Sequence, residues 1–130
     1  MKKILMCIYF LFFCGNVYSQ EILIFGGSGN KEFLGCLTCS EVSSNSVFND
    51  FSQYGWGNGF GKWNPFGPYK NPFSSTSACN EFSSQGPVLV DRQGNFYGML
   101  TINEFANKSI CGFSGNANIC RALKAMCASN

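Results

Sequence analysis

Cysteine content places the strongest constraint on how this chain can fold. The sequence has eight cysteines in 130 residues, and two of them, Cys7 and Cys14, lie in an apolar N-terminal stretch. An even number of cysteines in a small exported domain favours disulfides, each worth roughly 2–4 kcal/mol. The other six are therefore expected to form three bridges: Cys36, Cys39, Cys79, Cys111, Cys120 and Cys127.

The N-terminus has the order of a secretory signal peptide. Lys2 and Lys3 precede a short apolar run, 4–14, and Val17 and Ser19 supply small residues before a cleavage site. We expect cleavage after Ser19, which leaves one mature domain, 20–130, exported to the periplasm or the medium. Lipidation of Cys14 and an uncleaved anchor are the alternatives. No later apolar stretch is long enough to span a membrane, so we expect no membrane span after cleavage.

A C-terminal helix is predicted over 117–128, with Asn116 or Asn118 as its cap, because apolar residues there follow helical spacing. Cys120 and Cys127 then share one face but lie about 10 Å apart along the axis, too far for a mutual bridge. A flexible Gly-Phe-Ser-Gly loop follows Cys111, so we pair Cys111 with Cys120.

Cys36 and Cys39 form a C-x-x-C pair, which thiol oxidoreductases use for redox chemistry and zinc sites use for ligation. A zinc site would need Cys79 and Cys127 as further ligands. We favour structural disulfides, since an exported protein rarely keeps free thiolates. Cys79 is expected to bond one member of the C-x-x-C pair and Cys127 the other, which leaves no thiol for metal or cofactor binding.

Residues 40–86 are rich in Ser, Asn, Gly and aromatic residues and show no helical period. The phrases "FNDFSQYG", "WNPFGPYK" and "CNEFSSQG" place Asn49, Asn64 and Asn80 in one setting, 15 and 16 residues apart. Asn closes turns by bonding its own backbone two residues on. We predict an Asn/aromatic turn repeat of about 15 residues, in which the side chain before each Asn and the Phe two after it point inward.

Two β-rich runs surround 91–95 in "PVLVDRQGNFYGMLTIN", which predicts a hairpin over 87–103 with strands near 88–91 and 96–102. Gly98 is expected to mark a bulge or a close backbone contact. A further strand is predicted over 21–27. The expected fold class is therefore α+β: a small disulfide-stabilised domain with a short antiparallel β-sheet, an Asn/aromatic turn repeat and a C-terminal helix.

Four stretches resemble the motifs of a family of small exported bacterial proteins: "FLGCLTC", "SVFNDFSQYG", "SACNEF" and "PVLVDRQGNFYGMLTIN". That family carries a CLxC motif, tandem SxxNx[YF]GxYG phrases, a SACN motif and a final VDxxGx[FY]GxLTxN motif. The resemblance covers about residues 24–103 and implies an exported bacterial domain. It implies no activity, because none is established for that family.

Composition argues against several classes of function. The sequence contains no histidine, the commonest general base and metal ligand. Beyond residue 19 it carries seven basic and seven acidic residues, so no basic field favours nucleic acid. Asp50 and Glu81 occupy equivalent repeat positions and could form a two-carboxylate hydrolase site. A charged residue beside a turn is more often solvated, so an enzyme is the less favoured interpretation.

Aromatic side chains crowd residues 48–73 beside Asn, Ser and Gly. Trp56, Trp63 and Tyr69 are the candidate binding residues, since exposed rings beside amides could stack on sugars and bond their hydroxyls. The competing interpretation is that such rings form the core of a domain poor in aliphatic residues. The leading expectation is a non-enzymatic binding or structural module of the cell envelope or secretome, with an envelope polymer or a protein as its partner. A carboxylate-dependent hydrolase or a CxxC thiol protein is the alternative.

The signal-peptide prediction is tested by the intact mass of the exported protein. The mass should correspond to a chain that begins at Gln20. Retention of Met1, or a lipid attached to Cys14, would contradict the prediction.

Overall fold

The computed structural model describes residues 20–129, and the predicted signal peptide, 1–19, lies outside the described residues. Residues 20–129 form four strands, one 3₁₀ turn and one helix. In chain order these are β1 (Leu23–Gly26), the 3₁₀ turn (Ser28–Asn30), β2 (Glu32–Cys36), β3 (Val88–Val90), β4 (Phe96–Met99) and α1 (Ala117–Ala128).

The strands form one antiparallel sheet in the order β2-β1-β3-β4. Together with α1 and three disulfides, this sheet confirms the predicted α+β class. The β3–β4 hairpin forms as predicted, although both strands are shorter than the sequence suggests. Its turn is closed by Asp91, whose Oδ1 accepts hydrogen bonds at 2.9 Å from the N–H groups of Gln93 and Asn95.

Both edges of the sheet continue into the turn repeat. Beside β2, the Cys36 N–H donates to the Asn45 carbonyl at 2.7 Å, and the Val47 N–H donates to the Cys36 carbonyl at 3.1 Å. Beside β4, Met99 exchanges equivalent bonds with Lys108 and Ile110, both at 2.8 Å. The repeat therefore occupies backbone groups that an open sheet edge would leave unpaired.

The repeat has a period of three residues, not the predicted 15. From Ser40 to Gly67, the N–H of every third residue donates to the carbonyl three residues before it, at 2.9–3.3 Å. The ladder resumes at Asn71 and runs again over 103–115. We call the residues that these hydrogen bonds join the linked positions. Every linked position in 40–86 is Ser, Asn or Gly, and in 103–115 every one except Ala106 is.

The predicted spacing is a multiple of this period. Asn49 and Asn64 are five triplets apart, whereas Asn64 and Asn80 are five triplets and one inserted residue apart. The extra residue lies between Gly67 and Asn71, where the N–H of Asn71 reaches back four residues to the Gly67 carbonyl. Lys70 is buried, which lowers the pKa of its amine, and its Nζ donates to Ser129 Oγ at 3.3 Å.

Three triplets make one coil of nine residues. The N–H of Trp56 donates to the Val47 carbonyl at 2.7 Å, and that of Ala78 donates to the Tyr69 carbonyl at 2.9 Å, each nine residues back. Buried hydroxyls reinforce the stacking, as when Ser77 Oγ donates to the Tyr69 carbonyl at 2.9 Å. The coils therefore stack on one another and present equivalent residues to the same side.

The disulfide pattern confirms one predicted pair and corrects the rest. Cys111 bonds Cys120 as expected. The expected bridge from Cys79 to the C-x-x-C pair is wrong: Cys36 bonds Cys39 and Cys79 bonds Cys127. The chain turns sharply where β2 ends, which brings the Cα atoms of Cys36 and Cys39 to 5.5 Å. Buried Cys79 instead lies against α1, whose inner face carries Leu123 and Met126.

The Cys79–Cys127 bond is expected to contribute more to the free energy of unfolding than the Cys36–Cys39 bond. It closes a loop of 48 residues, against three for Cys36–Cys39. Chain entropy then predicts a loss of about 4 kcal/mol in unfolding free energy for Cys79→Ala with Cys127→Ala. The matched control, Cys36→Ala with Cys39→Ala, should lose under about 2 kcal/mol. Urea unfolding without reductant measures both, and equal losses would contradict the pairing.

Candidate binding surface

Asn-x-Phe occurs six times in the sequence, and every copy forms the same turn. The Oδ1 of each Asn accepts a hydrogen bond at 3.0–3.1 Å from the backbone N–H of the Phe two residues later. Three of these Asn were singled out by sequence: Asn49, Asn64 and Asn80. The other three are Asn58, Asn71 and Asn103, which the count of Asn-x-Phe tripeptides alone would have identified.

The phenylalanines of these turns point outward, which corrects the predicted inward orientation. Within 40–86 their exposed fractions run from 84% to 101%. The inward positions of each coil are taken by other residues, such as Val47, Trp56 and Ala78. We call the five rings the phenylalanine surface: Phe51, Phe60, Phe66, Phe73 and Phe82.

Each ring of the phenylalanine surface is attached to a fixed backbone. At Asn49, Asn58 and Asn80 the amide is bonded on both sides: Oδ1 accepts from the Phe N–H, and Nδ2 donates at 2.9–3.0 Å to a carbonyl six residues back. At the two remaining turns, Pro65 and Pro72 stand between Asn and Phe. Proline restricts φ, so these turns lose little further freedom when a ring is bound.

Carboxylates lie beside some of the exposed rings. Asp50 precedes Phe51, and Glu81 precedes Phe82. Within residues 20–129 neither carboxylate pairs with a cation or accepts a hydrogen bond from a side chain. They therefore add negative charge beside the rings, and nothing in their described contacts resembles the hydrogen-bonded pair that a hydrolase would need.

Trp56, Trp63 and Tyr69 do not form the exposed stacking surface that the sequence suggested. All three are buried, with exposed fractions of 8%, 0% and 4%. Their rings stand in a row, with centroid distances of 6.0 Å and 6.1 Å, in the hydrophobic core. Trp63 Nε1 donates to the Leu34 carbonyl at 2.9 Å, which ties this row to the sheet. The core interpretation therefore holds for these residues.

Tyr69 ends this row at a polar contact. Its hydroxyl donates to Glu32 Oε1 at 2.9 Å, and Lys62 Nζ lies 2.9 Å from Glu32 Oε2. Burial, and then the hydrogen bond to Glu32, raise the pKa of Tyr69 to about 12. The hydrogen bond from Lys62 outweighs burial and lowers the pKa of Glu32. Both oxygens of the Glu32 carboxylate are therefore paired, one with the Tyr69 hydroxyl and one with Lys62, which suits a structural role.

The C-x-x-C pair was the feature of the sequence that suggested thiol or metal chemistry. Cys36 and Cys39 are bonded to each other. Residues 20–129 contain no group of three or more His, Cys, Asp or Glu side chains that could hold a metal ion. Among the same residues, no helix has the length and apolar character that a membrane crossing requires.

Comparison of the chain with protein-family models, curated proteins and solved structures gives no significant match. For residues 40–86, a function is argued below from the exposed rings of the phenylalanine surface.

The two classes of aromatic residue should respond differently to substitution. Phe73→Ser is expected to change the unfolding free energy by less than about 0.5 kcal/mol, because the ring contributes no buried area. Trp63→Ala should cost about 3–5 kcal/mol, since it removes a fully buried ring and its hydrogen bond to Leu34. Chemical denaturation of both variants provides the measurement. A comparable loss for Phe73→Ser would show that its ring is a core contact.

Proposed function

We propose that this protein is an exported, non-enzymatic binding or structural module of the bacterial cell envelope or secretome, and that it docks through the phenylalanine surface. The observation that carries the proposal is the near-complete exposure of five phenylalanines at the same position of a repeated turn. Membership in the family of small exported bacterial proteins, indicated by the sequence motifs, is part of the proposal.

The energetic argument starts from the cost of leaving these rings in water. A phenylalanine that becomes buried removes about 150–250 Å² from water, at roughly 25 cal/mol per Å². Soluble monomers rarely expose a large contiguous apolar patch unless it serves an interaction. Phe51 and Phe60 lie nine residues apart, the spacing of equivalent positions on adjacent coils, and so do Phe73 and Phe82. Since these rings add nothing to the core, a partner that covers them supplies the reason for their presence.

Rigid presentation supports the same interpretation. Each ring projects from a turn whose Asn side chain is already hydrogen-bonded to the backbone, as at Asn71 and Phe73. Binding then orders little beyond the ring itself, so less of the contact energy is lost to ordering. Five such turns on one chain also allow several weak contacts to act together.

Charge restricts the kind of partner. Asp50 and Glu81 bring negative charge next to Phe51 and Phe82. Nucleic acid would be repelled by them, and binding to it would require a basic surface. A protein or an envelope polymer with apolar sites is compatible with this arrangement. A carboxylate-dependent hydrolase has less support, because the sequence lacks histidine and Asp50 and Glu81 form no hydrogen-bonded pair among the described residues. A C-x-x-C thiol protein stays the alternative, since a Cys36–Cys39 disulfide is the form that an oxidised redox pair would take.

The proposal predicts phenylalanine-dependent binding to an envelope fraction. Purified protein beginning at Gln20 is sedimented with bacterial peptidoglycan sacculi and, separately, with envelope membrane vesicles. The triple variant Phe51→Ser, Phe60→Ser and Phe73→Ser should lower the bound fraction at least about ten-fold in the fraction that binds wild type, consistent with the loss of several apolar contacts.

A matched control separates the rings from their charged neighbours. Asp50→Asn with Glu81→Gln keeps every ring and should bind at least as well as wild type. All variants should unfold at the same temperature as wild type, because the changed side chains are outside the core. Equal binding by the triple variant, or no binding of wild type to either fraction, would contradict the proposal.

A further inference from the structure

A cleft separate from the phenylalanine surface lies between β4 and the second repeat segment, 103–115. Its volume is about 820 Å³, within the range of sites that hold small ligands. Four aromatic rings line it, at Phe96, Tyr97, Phe105 and Phe113. Phe105 and Phe113 are almost fully exposed, at 94% and 108%, and the other two are about half exposed.

The floor of the cleft depends on a close approach of two backbone segments. Gly98 has φ of +135°, and a Cβ atom there would lie 3.0 Å from the Lys108 carbonyl oxygen. Glycine therefore lets residues 108–110 pair in parallel with the end of β4, where Met99 exchanges backbone hydrogen bonds with Lys108 and Ile110. This pairing fixes the floor.

One wall is held by a covalent bond and a helix cap. The Cys111–Cys120 bridge ties the loop that carries Phe113 to α1. Gly115 has no room for a side chain, because a Cβ atom there would clash with the Ile110 carbonyl. Asn116, which also lines the cleft, caps α1 with its Oδ1. Such a wall changes little when a ligand enters.

Tyr97 and Phe105 are also positioned by hydrogen bonds. The Tyr97 hydroxyl donates to Asp91 Oδ2 at 2.8 Å, which holds the ring at the start of β4. The Phe105 N–H donates to Asn103 Oδ1 at 3.0 Å, and Asn103 Nδ2 donates to the Ser83 carbonyl at 2.8 Å. Both rings are therefore presented from hydrogen-bonded segments of the chain.

Polar groups stand among these rings. Asn107, Lys108, Ser114 and Asn116 line the cleft and are exposed. Glu104 also lines it, but Lys124 Nζ lies 3.7 Å from its Oε1 and offsets its charge. The lining thus combines aromatic faces with amide and hydroxyl groups and carries little net charge.

We propose that this cleft binds a neutral oligosaccharide built of hexose or N-acetylhexosamine units. A sugar ring presents C–H groups on its faces and hydroxyls at its rim. The faces suit aromatic rings, whose faces carry partial negative charge, and the hydroxyls suit Asn and Ser side chains. A lipid would leave these polar groups unpaired, and a nucleic acid would need more cations than Lys108 supplies.

NMR titration of uniformly ¹⁵N-labelled protein tests the proposal, with cellohexaose and chitohexaose as the probes. At least one probe should give saturable shifts confined to amides of 96–98 and 104–116. Phe105→Ala and Phe113→Ala should each weaken that binding at least about ten-fold, the size of effect expected for a ring at the centre of a site.

The chain offers a matched control in Phe51→Ala and Phe60→Ala. Both rings are as exposed as Phe105 and sit in the same Asn-x-Phe turn, but neither lines the cleft. Their substitution should leave the affinity unchanged. No shifts from either sugar up to about 5 mM, or equal weakening by the control variants, would overturn the proposal. The two proposals remain distinguishable, because the triple variant of the envelope-binding assay keeps all four cleft rings.

Discussion

A backbone hydrogen bond repeated every third residue is the interaction on which the rest of this structure depends. Each bond closes one turn, and three turns complete a coil that stacks on the coil nine residues earlier. Small turn-forming residues at the linked positions allow the chain to bend so often. Neither a long helix nor a wide sheet could be built from such a sequence. The sheet has only four short strands, and the coil extends it at both edges. The backbone groups of the coil are paired largely with one another.

Position in the triplet does not by itself decide which aromatic side chains are buried. Phe51 and Trp63 each follow a linked position by two, yet Phe51 is exposed and Trp63 is fully buried. One coil can therefore supply both a buried row of rings and an exposed set. The difference in burial is the reason why we expect substitutions at Phe73 and at Trp63 to have such different consequences, although both are aromatic residues of one repeat.

Two further constraints turn the coil into a closed domain. The sheet pairs with the coil at both edges, through Cys36 on one side and Met99 on the other. The helix is then attached by covalent bonds at Cys120 and Cys127, one to each repeat segment. The Cys111–Cys120 bond holds the loop that carries Phe113, so part of the lining of the cleft beside β4 is fixed covalently. This preorganisation suits the ligand binding that we propose for the cleft.

The sequence by itself determined the elements whose causes are local. Helical spacing and an Asn cap specify α1, β-rich runs around a turn specify the hairpin, and an Asn two residues before a Phe specifies each turn. Only the tertiary structure decided which rings are buried and which cysteines meet, because both depend on how coils stack and on where β2 ends. The spacing of Asn49, Asn64 and Asn80 is compatible with several periods, and only the backbone hydrogen bonds within each coil single out a period of three residues. The candidate site was consequently misplaced by sequence onto Trp56, Trp63 and Tyr69, since burial is a property of the packed coil and not of a residue's neighbours in the chain.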